Sequence, residues 1–118
     1  MKEHRYDDYG IDGIDLEAAR VLVEEALGVE LEERESSYYA GNYFCLRQNF
    51  ERPIMLYRNF DPTTSTWVRE HYQAHPVIME VARLHGMEEL HERLLRHHPH
   101  VVLLKHSVHL VEDDRDKR

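Results

Sequence analysis

The chain reads as an α+β protein: one mainly antiparallel sheet of about five strands with two main helices packed on one face. Three observations predict this plan. Apolar residues recur at helical spacing in two separate segments, and runs of β-forming residues lie between them and beyond. The first three of those runs follow one another through turns too short for parallel crossovers. With 118 residues and 42% hydrophobic content, the chain fits a single domain over 1–118, large enough to bury a core without disulfide or metal staples.

A polar opening over 1–13 precedes the first helix. Asp15 caps that helix, Leu16, Ala19, Val23, Ala26 and Leu27 form its inner face, Glu17 sits near its positive end, and Gly28 ends it. Val29 and Leu31 alternate with Glu30 and Glu32, continuing through Arg34 and Ser36, as in a strand with one wet, acidic face. Tyr39-Ala40-Gly41-Asn42 reads as a turn and Tyr43-Phe44-Cys45-Leu46-Arg47 as the second strand. A turn over 48–52 leads to Pro53, which opens the third strand, Ile54-Met55-Leu56-Tyr57-Arg58.

The Asp61-Pro62-Thr63-Thr64-Ser65-Thr66 stretch is a surface loop, followed by a short helix over 67–73. Pro76 then leads the fourth strand over 77–81. Met87, Leu90 and Leu94 mark the second helix over 87–97, with Glu88 and Glu89 early and Arg96 and His97 late, in accord with the macrodipole. The fifth strand runs over 101–110, and 112–118 is a charged tail expected to fray.

Charge is distributed unevenly. Residues 1–35 hold twelve Asp and Glu against four Lys and Arg, while residues 36–118 hold eleven of each. A one-sided acidic field steers a small protein toward a basic protein partner. It also repels phosphate, which argues against direct nucleic-acid binding. The N-terminus lacks an apolar h-region and no apolar run approaches the roughly 20 residues that span a bilayer, so the chain is expected to be cytoplasmic and to engage no membrane. Cys45 is the single cysteine and reads as a small core residue.

Ten histidines invite a metal hypothesis. His71 and His75 lie four apart, on one face if the segment is helical, and a metal-binding protein or enzyme using this pair is the alternative reading. The glutamate precedes His71, so HExxH is absent, and Pro76 ends the segment; exposed histidines are the simpler account. His91, His97, His98 and His100 surround the end of the second helix, where imidazoles complement terminal carbonyls. His106 and His109, three apart in a strand, face opposite sides. There is no G-x-S-x-G elbow and no glycine-rich phosphate loop, so the chain reads as a binding protein without cofactor or metal rather than as an enzyme. A structural or regulatory subunit is the other rival.

Tyrosines interrupt the acidic region. Tyr6 and Tyr9 lie among Asp7, Asp8 and Asp12, and Tyr38, Tyr39 and Tyr43 follow Glu33 and Glu35. They serve equally as interface anchors or as core residues, and about half are expected to face inward.

The segments Leu-Glu-Ala-Ala-Arg and Glu-Glu-Ala-Leu-Gly within 16–28, Glu33-Arg34-Glu35-Ser36-Ser37-Tyr38-Tyr39-Ala40-Gly41-Asn42-Tyr43, Asn59-Phe60-Asp61 and His75-Pro76-Val77-Ile78 carry a resemblance. Over 16–81 the chain resembles small bacterial immunity proteins of polymorphic toxin systems. That resemblance implies stoichiometric neutralisation of a cognate toxin domain, with no catalytic residue to carry over. The interface expected on this reading comprises Glu30, Glu32, Glu33 and Glu35 with Tyr38 and Tyr39.

Overall fold

The computed structural model describes residues 2–48, 51–82, 87–97 and 99–111. Among these, β1 (Lys2–Ile11), α1 (Leu16–Leu27), β2 (Glu32–Ser36), β3 (Gly41–Gln48), β4 (Glu51–Arg58), β5 (Phe60–Asp61), β6 (Thr66–Trp67), β7 (Val77–Ala82), α2 (Met87–His97) and β8 (Val101–Val111) follow in order. Six strands form one antiparallel sheet in the order β2-β3-β4-β7-β1-β8. β5 and β6 form a separate two-stranded ribbon.

Local chemistry accounts for α1. The Asp15 side chain accepts from the Ala18 N–H at 2.8 Å, and Gly28 takes the left-handed conformation (φ 65°) that closes the last turn on the Glu24 carbonyl. Leu16, Ala19, Leu22 and Val23 are buried. They share one core cluster with Leu90 and Leu94 of α2 and with Tyr9, Ile11, Phe44, Ile54, Leu56, Val77, Met79, Val81 and Val101 from the sheet. Tyr43, Cys45, Met55, Tyr57 and Ile78 form a second cluster, against which Tyr39, Val68, Tyr72 and Leu104 pack. Strand alternation assigns the two clusters to opposite faces of the sheet. Pro53 falls where the β3–β4 register shifts between Leu46 and Gln48, a bulge that needs no ladder N–H from it.

Three features depart from the sequence reading. The opening that composition marks only as polar is β1, an interior strand between β7 and β8, so the main sheet has six strands rather than five. No α-helix forms over 67–73: β6 and a single 3-10 turn at Glu70–Tyr72 stand there. The strand expected from Val29 starts at Glu32. The charged tail over 112–118 and the centre of the 48–52 turn lie outside the described residues.

The chain between β4 and β7 forms a strap against the second cluster, and Asn59 fixes it. Asn59 is fully buried. Its Nδ2 donates to the carbonyls of Arg69, Tyr72 and His75 at 3.2, 2.9 and 3.2 Å, while Oδ1 accepts from the Arg69 N–H at 2.7 Å. Its backbone donates to Pro76 and accepts from Val68. The Arg69 and Tyr72 carbonyls also accept from the Tyr72 and His75 N–H groups, so each is shared between the turn and Asn59.

Asp15→Ala should lower stability by about 1 kcal/mol, the usual loss of an N-cap. Asn59→Ala, which strands several part-buried polar groups, should cost about 2–3 kcal/mol. Urea midpoints check both, and the ranking of the two fails if Asp15 proves the costlier.

Candidate functional site

β2 is an outer strand of the sheet, and its composition suits that place, since charged side chains discourage edge-to-edge pairing. Glu30, Glu32, Glu33 and Glu35 are all exposed. The strand ends in a tight turn: Ser36 Oγ accepts from the Tyr38 N–H at 3.2 Å, Ala40 is left-handed (φ 61°) and Gly41 has φ 103°. That turn throws Tyr38 outward to 72% exposure. Tyr38 meets Tyr39 edge-on at 4.8 Å, and Tyr39 packs in turn on Tyr43 and Tyr57 at 4.8 and 5.0 Å. Tyr38 is therefore a surface residue, whereas Tyr39 is its half-buried support.

Register divides the glutamates. Glu33 and Glu35 lie opposite Phe44 and Asn42, on the face that carries the helices, while Glu32 lies opposite Cys45 on the other. Glu32 bridges Arg34 at 2.6 Å and reaches Arg47 at 3.9 Å; Glu33 accepts from Asn42 Nδ2 at 3.2 Å. Glu33 and Glu35 keep the helix-bearing side of the edge acidic, whereas on the other side Glu32 is met by two arginines.

Much of the remaining acidic first third has internal work. Tyr72 donates to Asp8 at 3.0 Å, Asp12 meets His75 Nδ1 at 2.8 Å, and Asp15 caps α1. Arg20 bridges Glu17 and Glu24, and Glu24 also accepts from the Leu31 N–H at 2.7 Å. Moreover, β1 is four strand positions from β2, about 19 Å at ordinary strand spacing. A block contiguous in sequence is thus divided in space, and the outward-facing acidic group of interest is the β2 edge.

A second polar centre, which sequence reasoning did not find, surrounds Asp7. This carboxylate is 1% exposed on the helix-bearing face. It accepts from Arg5 Nε at 3.0 Å, from the Tyr9 hydroxyl at 3.2 Å and from His106 Nδ1 at 2.6 Å. The Tyr9 oxygen also lies 3.1 Å from His91 Nδ1. A register shift in the β1–β8 pairing between Asp8 and Tyr9 places both Leu103 and His106 on the Tyr9 side. The sequence distances, 82 residues to His91 and 99 to His106, explain why no local pattern announced the cluster.

The remaining histidines resolve individually. His71 stacks edge-on against Tyr72, whereas His75 turns to Asp12 over Gly10, where a Cβ would stand 2.6 Å from its Nδ1. Without a helix the pair shares no helical face. Among the described residues no three His, Cys, Asp or Glu side chains gather around one point. His91 points to Tyr9 rather than to helix-end carbonyls, and His100 lies beside Gly13; His98 and the His97 side chain are outside the described residues. His106 and His109 do face opposite sides, toward Asp7 and Tyr6 respectively. Cys45 is buried in the second cluster, and Tyr9, Tyr43 and Tyr57 are core residues. No helix among the described residues is long and apolar enough to cross a membrane. Comparison with protein-family models, curated proteins and solved structures finds no match to the chain.

Burial and the Asp7 carboxylate raise the Tyr9 phenol well above its ordinary value of 10, against the opposing Arg5 charge. Burial and Glu80 do the same to Tyr57, against Arg69. Below pH 10 both native and unfolded chains keep these protons, and the phenols' contribution to stability is complete. Above it the unfolded chain releases them while the native phenols hold, so stability falls as pH rises. Each tyrosine should contribute a slope approaching about 1.4 kcal/mol per pH unit between pH 10 and 12. Urea unfolding across that range should show it, with a shallower slope for Tyr57→Phe.

Proposed function

We infer that this chain is an acidic protein-binding module that neutralises a cognate bacterial toxin by stoichiometric binding in the cytoplasm. One arrangement carries the reading: Glu30, Glu32, Glu33 and Glu35 stand exposed along a sheet edge that ends in the outward-facing Tyr38. Tyrosine supplies rigid contact area with a hydroxyl, and carboxylates around it select a cationic counterpart. A toxin that cleaves nucleic acid needs a basic surface for its own substrate, so an acidic partner can occupy it and exclude that substrate.

The physical form of the edge refines the mode of contact. Charged side chains on both faces of a five-residue strand disfavour addition of another strand, so recognition runs through side chains rather than through backbone ladders. Tyr39, held against Tyr43 and Tyr57, keeps the Tyr38 turn in place before contact, which limits the ordering cost of binding. Electrostatic capture of this kind acts mainly on the association rate and weakens as salt shortens the Debye length below about 8 Å.

The partner for the test is a toxin domain encoded next to this chain. Co-expression should restore growth of cells producing that domain. Replacing the four glutamates with lysine should leave the thermal transition in place and slow association about tenfold at low salt. An unchanged association rate removes the β2 edge from the interface. Failure of the wild-type chain to restore growth, or neighbouring frames that encode no toxin, removes the immunity function.

A further inference from the structure

The Asp7 centre lies across the sheet from the β2 edge, with Asp7 four and His106 five strand positions away, about 19 and 24 Å at ordinary spacing, and the proposed binding function makes no use of it. Its hydrogen bonds fix the proton on two imidazoles. A carboxylate only accepts, so the 2.6 Å contact with His106 requires the proton on His106 Nδ1. Tyr9 has one hydroxyl proton and gives it to Asp7 at 3.2 Å. Its oxygen can therefore only accept from His91 Nδ1 at 3.1 Å, which places the proton there as well. When neutral, both rings carry their lone pair on Nε2.

The two ends of this path differ in their backing. His106 is held directly by the buried carboxylate, and its side chain is 43% exposed. His91 is part-buried and reaches Asp7 only through Tyr9. An imidazole with Nδ1–H bound to a carboxylate is the base-and-orienter half of a nucleophilic relay, because the carboxylate fixes the tautomer and stabilises the cation that forms on reaction. His75 is the comparison within the same chain. It also meets a carboxylate, Asp12, at 2.8 Å, but its own side chain is only 19% exposed and Asp12 is 40% exposed. It has neither the access of His106 nor the desolvated partner.

We propose that His106 is a nucleophilic imidazole that takes acyl groups from activated carboxylic esters on Nε2 and passes them to water. The Nε2 lone pair attacks the ester carbonyl carbon, the C–N bond forms, and the alkoxide or aryloxide leaves. The acylimidazolium keeps its proton on Nδ1, where it donates to Asp7. Water then adds to the acyl carbon and gives up one proton to the departed alkoxide or aryloxide through solvent, the C–N bond breaks, and the carboxylic acid is released with the electron pair returned to Nε2. Asp7 is a positioning residue, and Tyr9 and Arg5 hold it.

Hydrolysis of p-nitrophenyl acetate at neutral pH tests the proposal on the intact chain. The second-order rate constant should exceed that of N-acetylhistidine by about tenfold or more, and His106→Gln should remove most of that excess. His75→Gln should leave it unchanged. Because Asp7→Asn removes a buried charge and can unfold the chain, the positioning role is read instead from 15N NMR of the native protein, where His106 should appear as the Nδ1–H tautomer. A wild-type rate no greater than that of N-acetylhistidine, full activity in His106→Gln, or an Nε2–H tautomer at His106 each overturns the proposal. Since His106→Gln leaves the β2 edge intact, toxin neutralisation should persist in it, and the two functions fail or stand separately.

Discussion

A charge inside the sheet is the constraint around which this molecule is organised. β1 lies between β7 and β8, so its polar residues cannot all turn to solvent, and Asp7 is 1% exposed. A buried carboxylate that loses its partner costs about 3–5 kcal/mol. Asp7 is accordingly supplied from its own strand by Arg5 and Tyr9 and from the neighbouring strand by His106. On the opposite face Asp8 and, just past the strand, the more exposed Asp12 are met by Tyr72 and His75. Acidity that looks like surface charge in the sequence is in part the means by which β1 is located in the sheet.

The two faces are closed by different physics. The helix-bearing face is closed by aliphatic packing, Leu16, Ala19, Leu22 and Val23 of α1 and Leu90 and Leu94 of α2 on the sheet, which is non-directional. The other face is covered by the strap, whose few apolar contacts, Val68 and Tyr72, are supplemented by directional bonds. Arg69 and Tyr57 converge on Glu80, and Asn59 gathers three carbonyls. Short irregular segments have few backbone bonds of their own, so side chains must supply them. Beside this scaffold the β2 edge is chemically simple. It displays carboxylates and one exposed tyrosine on a turn that Tyr39, Tyr43 and Tyr57 hold from beneath.

Elements governed by neighbours in sequence were legible. α1 carries its cap, its apolar spacing and its terminal glycine within fourteen consecutive residues, and α2 and β7 have equally local signals. β1 was not legible, because His4-Arg5-Tyr6-Asp7-Asp8 offers no apolar alternation and its partners lie at the far end of the chain. The strap misled for a related reason: 67–73 has the composition of a short helix, but its conformation is held by Asn59, a residue outside the segment, at Arg69 and Tyr72. Of the site, alternation places Glu30 and Glu32 on the wet face, whereas Glu33 and Glu35 share the other face with the core, and the outward turn of Tyr38 depends on the Ser36–Gly41 backbone. The Asp7 centre depends on pairs 82 and 99 residues apart and on a register shift, neither of which leaves a trace in the sequence.

The strand order also bears on how the chain is made. β1 leaves the ribosome before any other strand of the sheet, yet both its neighbours, β7 and β8, are synthesised after every other strand of that sheet. At ordinary translation speeds it waits on the order of ten seconds without a partner. Through that interval its aspartates, arginine and histidine keep it solvated, so the residues that later fill the interior also protect the nascent segment from premature association.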